Sequence, residues 1–212
     1  IEIGRAKRAT QVYGFDDIAI VPTRRTRTPE DVKLTWTIDA LTFDFPIVAA
    51  PMDSVMSPAT AIEFGRLGGL GVLNLEGLWT RYEDPEPLLA ELGEITEASA
   101  ATRRMQEIYS APVQPELIKA RMQEIRDAGV PVAGALSPQR AQEFASVVES
   151  SGVDFFVIRG TTVSAEHVSA SEEPLNLKEF IRKLDVPVIV GGCATYQAAL
   201  HLMRTGAAGV LV

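Results

Sequence analysis

The chain is poor in the residues that most often betray a metal centre or a disulfide framework: one cysteine (Cys193) and two histidines (His167 and His201) among 212 residues. A lone cysteine cannot close an intramolecular disulfide, and it suits a reducing compartment. Two distant histidines, one cysteine and no clustered carboxylates offer no spacing for a transition-metal site. No apolar run approaches the roughly 20 residues that span a bilayer, and the first residues lack the basic-then-apolar layout of an export signal. The expectation is a cytoplasmic protein. Positive charge is also scarce, with 20 Lys and Arg against 28 Asp and Glu, a net charge of −8 and a pI near 4.9. Such a surface disfavours nucleic acid and anionic membranes as partners. The one basic cluster, Arg24, Arg25 and Arg27, is set among Thr, Pro, Glu and Asp without aromatic stacking residues and reads as a solvated loop.

What is present is an apolar content of 46%, enough for one sizeable core, arranged in a repeating grammar from residue 46 onward. An apolar strand is followed by a loop, an amphipathic helix closed by glycine, and another strand. Strands are predicted at 46–50, 70–74, 132–136, 155–158, 188–190 and 209–212. The intervening helices repeat apolar residues every three or four positions: Leu117, Met122 and Ile125, then Phe144, Val147 and Val148, then Leu177, Phe180, Ile181 and Leu184. Gly69, Gly129, Gly152 and Gly206 fall just before strands, where a left-handed residue lets the chain leave a helix. Near-continuous apolar strands alternating with helices imply a parallel α/β sheet, either open and doubly wound or closed into a barrel. Residues 77–127, rich in Glu, Ala and Arg and broken by Pro85, Pro87, Pro112 and Pro115, read as helices with loops rather than a separate domain. The chain ends at GAAGVLV, in what reads as a core strand, so the expectation is a piece of a longer protein.

The most informative stretch is 46–55, PIVAAPMDSV, where a strand halts at a Pro-Met-Asp turn and a helix begins. Side chains there sit at the carboxyl end of a buried parallel strand, the place where α/β enzymes hold ligands. Two readings of Met52 and Asp53 stand: the Met contacts a ligand, or the Met fills a gap and the Asp caps the next helix. Gly65, Gly68, Gly69 and Gly71 do not form a dinucleotide fingerprint, because they follow a helix and open a strand, the reverse of that motif; they read as a tight helix-to-strand turn. Cys193, in VGGCATYQ after a strand, lies near a mouth whose helix start past Thr195 could lower its pKa, yet a structural role is the preferred reading. His201 reads as packing or partly exposed on a helix, and His167 sits in a loop. No Gly-x-Ser-x-Gly elbow and no P-loop are present.

Three segments in order, YGFDDIAIVP (13–22), PIVAAPMDSV (46–55) and FGRLGGLGVLN (64–74), resemble the IMP dehydrogenase/GMP reductase family, closest to its IMP dehydrogenase-related branch without the CBS regulatory insertion. The similarity runs over nearly the whole chain. It implies a (β/α)8 TIM barrel of which about six strands lie in this chain (46–212), preceded by an amino-terminal extension (1–45) with a short hairpin around residues 32–38. It implies an NAD- or NADP-dependent purine-nucleotide oxidoreductase. The leading expectation is oxidation of IMP to XMP, with reduction of GMP to IMP by NADPH and a nucleotide-binding pseudoenzyme as alternatives. The nucleophilic cysteine of relatives lies beyond Val212, as do the phosphate-binding half of the site and any loop holding a potassium ion. Carried over by position, Ala50, Met52 and Gly192 fall on the substrate side, with Met52 against the purine, and Asn74, Arg159, Gly160 and Thr161 on the cofactor side. Four positions depart from the pattern. Ala50 stands where many relatives have serine; Arg159 where an aspartate accepts from the ribose, reversing charge and hydrogen-bond polarity; Gly192 and Leu211 where asparagine and arginine are usual. The resemblance also implies a homotetramer.

Overall fold

The computed structural model describes residues 2–4, 7–22, 24–166 and 175–212, which form two compact units, Ile1–Leu34 and Thr35–Val212. His167 lies outside the described residues. The first unit holds an antiparallel pair, β1 (Glu2–Gly4) and β2 (Lys7–Arg8), and two short 3-10 turns at Phe15–Asp17 and Pro29–Asp31. The Asp17 carboxylate closes the first turn by accepting from the Gly14 N–H at 2.9 Å.

The second unit opens with a hairpin, β3 (Trp36–Ile38) and β4 (Leu41–Phe43), turned at Asp39 with φ of 51°, a left-handed conformation Asp tolerates. This is a few residues later than the segment 32–38, because Val32 ends the preceding 3-10 turn. The ring of Trp36 stacks on Phe43 at 4.8 Å, and its Nε1–H donates to the Phe45 carbonyl at 2.7 Å.

The repeating grammar then unfolds as β5 (Val48–Ala49), α1 (Pro58–Arg66), β6 (Leu70–Asn74), α2 (Glu86–Glu94), α3 (Ala98–Ile108), α4 (Pro115–Asp127), β7 (Ala133–Leu136), α5 (Pro138–Ser150), β8 (Phe155–Arg159), α6 (Leu177–Lys183), β9 (Val188–Gly191), α7 (Tyr196–Met203) and β10 (Gly209–Leu211). Local chemistry sets the boundaries. Ser57 and Thr60 make a reciprocal capping box at the start of α1, with Pro58 in its first turn. Asn176 and Thr195 cap α6 and α7 with their side-chain oxygens. Gly129, Gly152 and Gly206 leave their helices at positive φ as expected. Before β6, however, the left-handed residue is Gly68 (φ 95°), not Gly69. Gly69 is required for a different reason: a Cβ there would lie 2.5 Å from the Phe64 ring and 2.9 Å from the Phe45 ring.

All six strands from β5 to β10 are parallel, and their spatial order is their chain order. A doubly wound sheet reverses direction partway along, whereas this sheet winds one way only, as a (β/α)8 barrel does. The strands are apolar on both faces because both are covered. Leu70, Val72, Ala133, Ala135, Phe155, Val157 and Ile189 gather on the inner face with Phe43, and the hairpin's Trp36, Ile38 and Leu41 pack against them. Leu73, Leu136, Phe156, Ile158, Val188 and Val190 point outward to Ile118, Met122, Ile125, Phe144, Val148, Phe180 and Ile181 of the helices. Each fully buried side chain of this kind contributes about 1.5–3 kcal/mol. The long connection folds as helices: Arg121 of α4 reaches back to donate to the Trp79 carbonyl at 3.0 Å, with its guanidinium over the Trp79 ring, and Tyr82 donates to the Ile108 carbonyl at 2.8 Å. Among the described residues no helix is long and apolar enough to cross a membrane.

Candidate active site at the strand carboxyl ends

Strand periodicity decides which polar residues face inward. On β6 the inner-face residues are Leu70 and Val72, so Asn74, the last residue of the strand, points the same way. On β8 Phe155 and Val157 are followed in the same phase by Arg159. The parallel register aligns Asn74 with Ala135, Ala135 with Val157, and Arg159 with Gly191, which places Arg159 one inward layer further toward the carboxyl-terminal mouth than Asn74.

These two residues share a cleft of about 350 Å³ whose other polar walls are Glu76, Arg81, Tyr109 and Ser137, with Pro51 at one side. The volume falls in the range of small-molecule sites. Glu76 is held rigidly: one carboxylate oxygen accepts the Ser137 backbone N–H at 2.6 Å and the other the Ser137 hydroxyl at 2.9 Å. It thereby supplies a negative charge to the start of α5, where an anion is favoured. The Asn74 side-chain oxygen accepts the Glu76 N–H at 3.1 Å, leaving its amide N–H groups for the cleft. Arg81 donates through Nε to the Glu76 carbonyl at 3.0 Å and through Nη1 to the Ala111 carbonyl, and it lies over the Tyr109 ring, 5.6 Å from its centroid.

Behind this wall, the Tyr109 hydroxyl donates to Asp53, whose same oxygen accepts the Leu78 N–H at 3.0 Å. The other Asp53 oxygen is buried and has no partner among the described residues. Burial, reinforced by the hydrogen bond to Asp53, pushes the Tyr109 phenol well above the ordinary tyrosine range. Gly77 makes the arrangement possible, because a Cβ there would stand 2.0 Å from the buried Asp53 oxygen.

Of the residues singled out from sequence, Asn74 and Arg159 are brought together in the cleft. Met52 heads the turn after β5 with its carbonyl accepting from Val55 and Met56, and the residue is 45% exposed, so it is not sealed in the core. Ala50 is likewise exposed at this strand tip; Pro51, between the two, lines the cleft. The Gly160 N–H donates to the Gly191 carbonyl and the Gly160 carbonyl accepts from the Gly192 N–H, each at 2.8 Å, which ties the segments after β8 and β9 together beside the exposed Thr161. These three border the mouth without lining the cleft. Asp53 does not cap the following helix; Ser57 does, because Asp53 is drawn instead to Leu78 and Tyr109. Cys193 is 5% exposed, packed in the outer layer with its thiol toward the Leu211 carbonyl at 3.4 Å. His201 is exposed on α7 beside a larger cleft of about 470 Å³ that Lys178 and Arg204 also line. That cleft shares no lining residue with the cleft of Asn74 and Arg159. Among the described residues no three His, Cys, Asp or Glu side chains assemble as a metal site.

Sequence reasoning missed Glu76, Arg81, Tyr109 and Ser137. Glu76 was within reach, two positions past Asn74, and Ser137 precedes a proline in the pattern of a helix start. Arg81 and Tyr109 carried no local signal.

A singly wound parallel sheet with a polar cleft at the carboxyl ends of its strands defines an α/β-barrel protein of the enzyme type. Residues 12–212 match the model of the IMP dehydrogenase / GMP reductase domain, and the chain belongs to that family. It is 49% identical over 216 residues to an uncharacterized oxidoreductase of Mycolicibacterium smegmatis and 50% identical to one of Mycobacterium tuberculosis. Each alignment covers 100% of this chain and 58% of the relative. The crystal structure of an IMP dehydrogenase/GMP reductase-like protein from Corynebacterium glutamicum matches with a TM-score of 0.92 and 47% identity, over 100% of this chain and 57% of that one. The inosine-5'-monophosphate dehydrogenase of Methanocaldococcus jannaschii is 39% identical over 66 residues, 31% of this chain. The chain thus spans little more than half the length of the relatives that match it throughout.

Proposed function

We propose that this chain forms part of a purine-nucleotide oxidoreductase that oxidises IMP to XMP with a nicotinamide cofactor held at the cleft. The observation that carries the proposal is the meeting of Asn74 and Arg159 in one cavity at the strand carboxyl ends of this family's barrel. The residues present fit a dinucleotide. Arg159 makes no hydrogen bond or ion pair to the described protein residues, so its guanidinium is available to a phosphate, and Asn74 keeps amide donors free for a sugar or carboxamide oxygen. Bound there, the nicotinamide would exchange a hydride with the purine. The chain's own part is to bind and orient: Asn74 and Arg159 on the cofactor side, with Gly160 and Thr161 beside them, and Met52 and Ala50 at the tip of β5 on the purine side.

A second reading, reduction of GMP to IMP with NADPH, is favoured by the uncommitted Arg159, since a guanidinium suits an added phosphate better than a bare ribose hydroxyl. Absorbance of the reduced nicotinamide, followed with the intact protein, separates the two. Appearance of NADH with IMP and NAD supports the dehydrogenase; consumption of NADPH only on adding GMP replaces it with the reductase. Nucleotide binding in calorimetry without either change rejects both and leaves a nucleotide-binding protein.

A further inference from the structure

Resting on the reading of this cleft as a nucleotide site, we propose that Arg81, Arg159 and Glu76 form a subsite for a phosphorylated ribose, the two arginines clamping the phosphate and Glu76 accepting from a sugar hydroxyl. Arg159 comes from the end of β8 and Arg81 from the connection after β6, and both line the one cavity. Their guanidiniums differ in a useful way. Arg81 is preorganised, with Nε and Nη1 held by the Glu76 and Ala111 carbonyls and its face on Tyr109, and only its remaining nitrogen is without a partner among the described residues. Arg159 has no partner for any of its fork among the described residues. A fixed cation beside an adaptable one suits a phosphomonoester, whose oxygens accept several N–H groups at once.

The one carboxylate in the cleft does not cancel this clamp. Both Glu76 oxygens are turned to Ser137, which neutralises part of their charge by charge-assisted hydrogen bonds and fixes their direction. A carboxylate has about four acceptor positions, and the two not used by Ser137 are left for hydroxyl donors. A cation pair for phosphate next to an acceptor for hydroxyl is the donor–acceptor pattern of a ribose phosphate. The chain Asp53 to Tyr109 to Arg81 makes Tyr109 a positioning residue: its hydroxyl is anchored on Asp53 and its ring supports the Arg81 guanidinium.

The phosphate has two sources, the 2'-phosphate of NADP or the 5'-phosphate of the purine nucleotide, and paired ligands separate them. Calorimetric titrations of the intact protein would compare NADP with NAD, and IMP with inosine, for the wild type and Arg159→Gln, a variant that loses no partner among the described residues. A wild-type preference for NADP of about tenfold or more that collapses in Arg159→Gln, with NAD binding changed less than about threefold, assigns the clamp to the cofactor. Collapse of the IMP-to-inosine ratio instead assigns it to the substrate and equally supports the subsite. If neither ratio moves, the clamp is overturned. Glu76→Gln is expected to weaken the phosphorylated and unphosphorylated partner of the responding pair alike, and unchanged binding of both removes the sugar half of the proposal. Absence of purine-dependent turnover in the wild type would sink the oxidoreductase reading whatever these titrations show.

Discussion

The hydroxyl of Tyr109 donates to the carboxylate of Asp53, 56 positions earlier in the chain, and so fastens the end of α3 to the turn that follows β5. The bond joins the helical connection to the barrel mouth beside Gly77, where a side chain would collide with the Asp53 carboxylate.

Tyr109→Phe should lower stability by about 1–2 kcal/mol, since Asp53 would keep the Leu78 N–H as its sole partner in a partly buried position. The folded phenol is shifted upward from about 10, the ordinary tyrosine value. The neutral form is therefore the one that folding favours: this stabilisation is complete below the unfolded pKa and is lost as pH rises through the folded one. Spectrophotometric titration of the phenolate should find one tyrosine ionising late in the folded wild type and missing from Tyr109→Phe. A variant with an unchanged titration curve would contradict the bond.

Gly77→Ala tests the close approach itself. The added methyl would meet the Asp53 carboxylate at 2.0 Å, so either that side chain or the backbone must move, at a cost of about 1–3 kcal/mol. The urea midpoint should fall without a change in slope. An unchanged midpoint would mean that Asp53 is free to swing away.

Phe155→Ala should be among the most damaging single changes, costing about 3–5 kcal/mol. The ring is fully buried on the inner face, 6.2 Å from that of Phe43. Equilibrium unfolding provides the check. A loss under about 1 kcal/mol would mean that the inner face is loosely packed there.

Cys193 should resist thiol reagents until the protein unfolds, because its sulfur is buried in the outer hydrophobic layer. Timed labelling with an aromatic disulfide reagent, with and without urea, measures the contrast. Labelling in the native state at the rate of a free thiol would reopen the question of its role at the mouth.

The elements themselves were legible because their signals are local. Apolar runs, most of them following a helix-closing glycine, marked the strands from residue 46 onward, and 3.6-residue repeats marked α4, α5 and α6. The errors were also local. One glycine is as good a helix terminator as its neighbour until the rings of Phe45 and Phe64 are seen to press on Gly69, and the hairpin moved a few residues because a 3-10 turn ends at Val32. At the site, the family resemblance pointed to Asn74 and Arg159, and the period of two on β6 and β8 explains why both face inward. Capping was one of the two readings open for Asp53, because Asp commonly caps, but Ser57, four residues later, caps α1.

Sequence alone determined the alternation of parallel strands and helices, the family, and the placing of PMDS at a strand tip, since each depends on neighbours along the chain. Tertiary structure alone decided that the sheet winds in one direction, which of its two apolar faces is the inside, and that Arg81 and Tyr109 stand across a cleft from Arg159. The physical reason is that hydrophobic burial is non-directional: an apolar strand must be covered on both faces, but which partners cover it depends on packing between segments far apart in sequence.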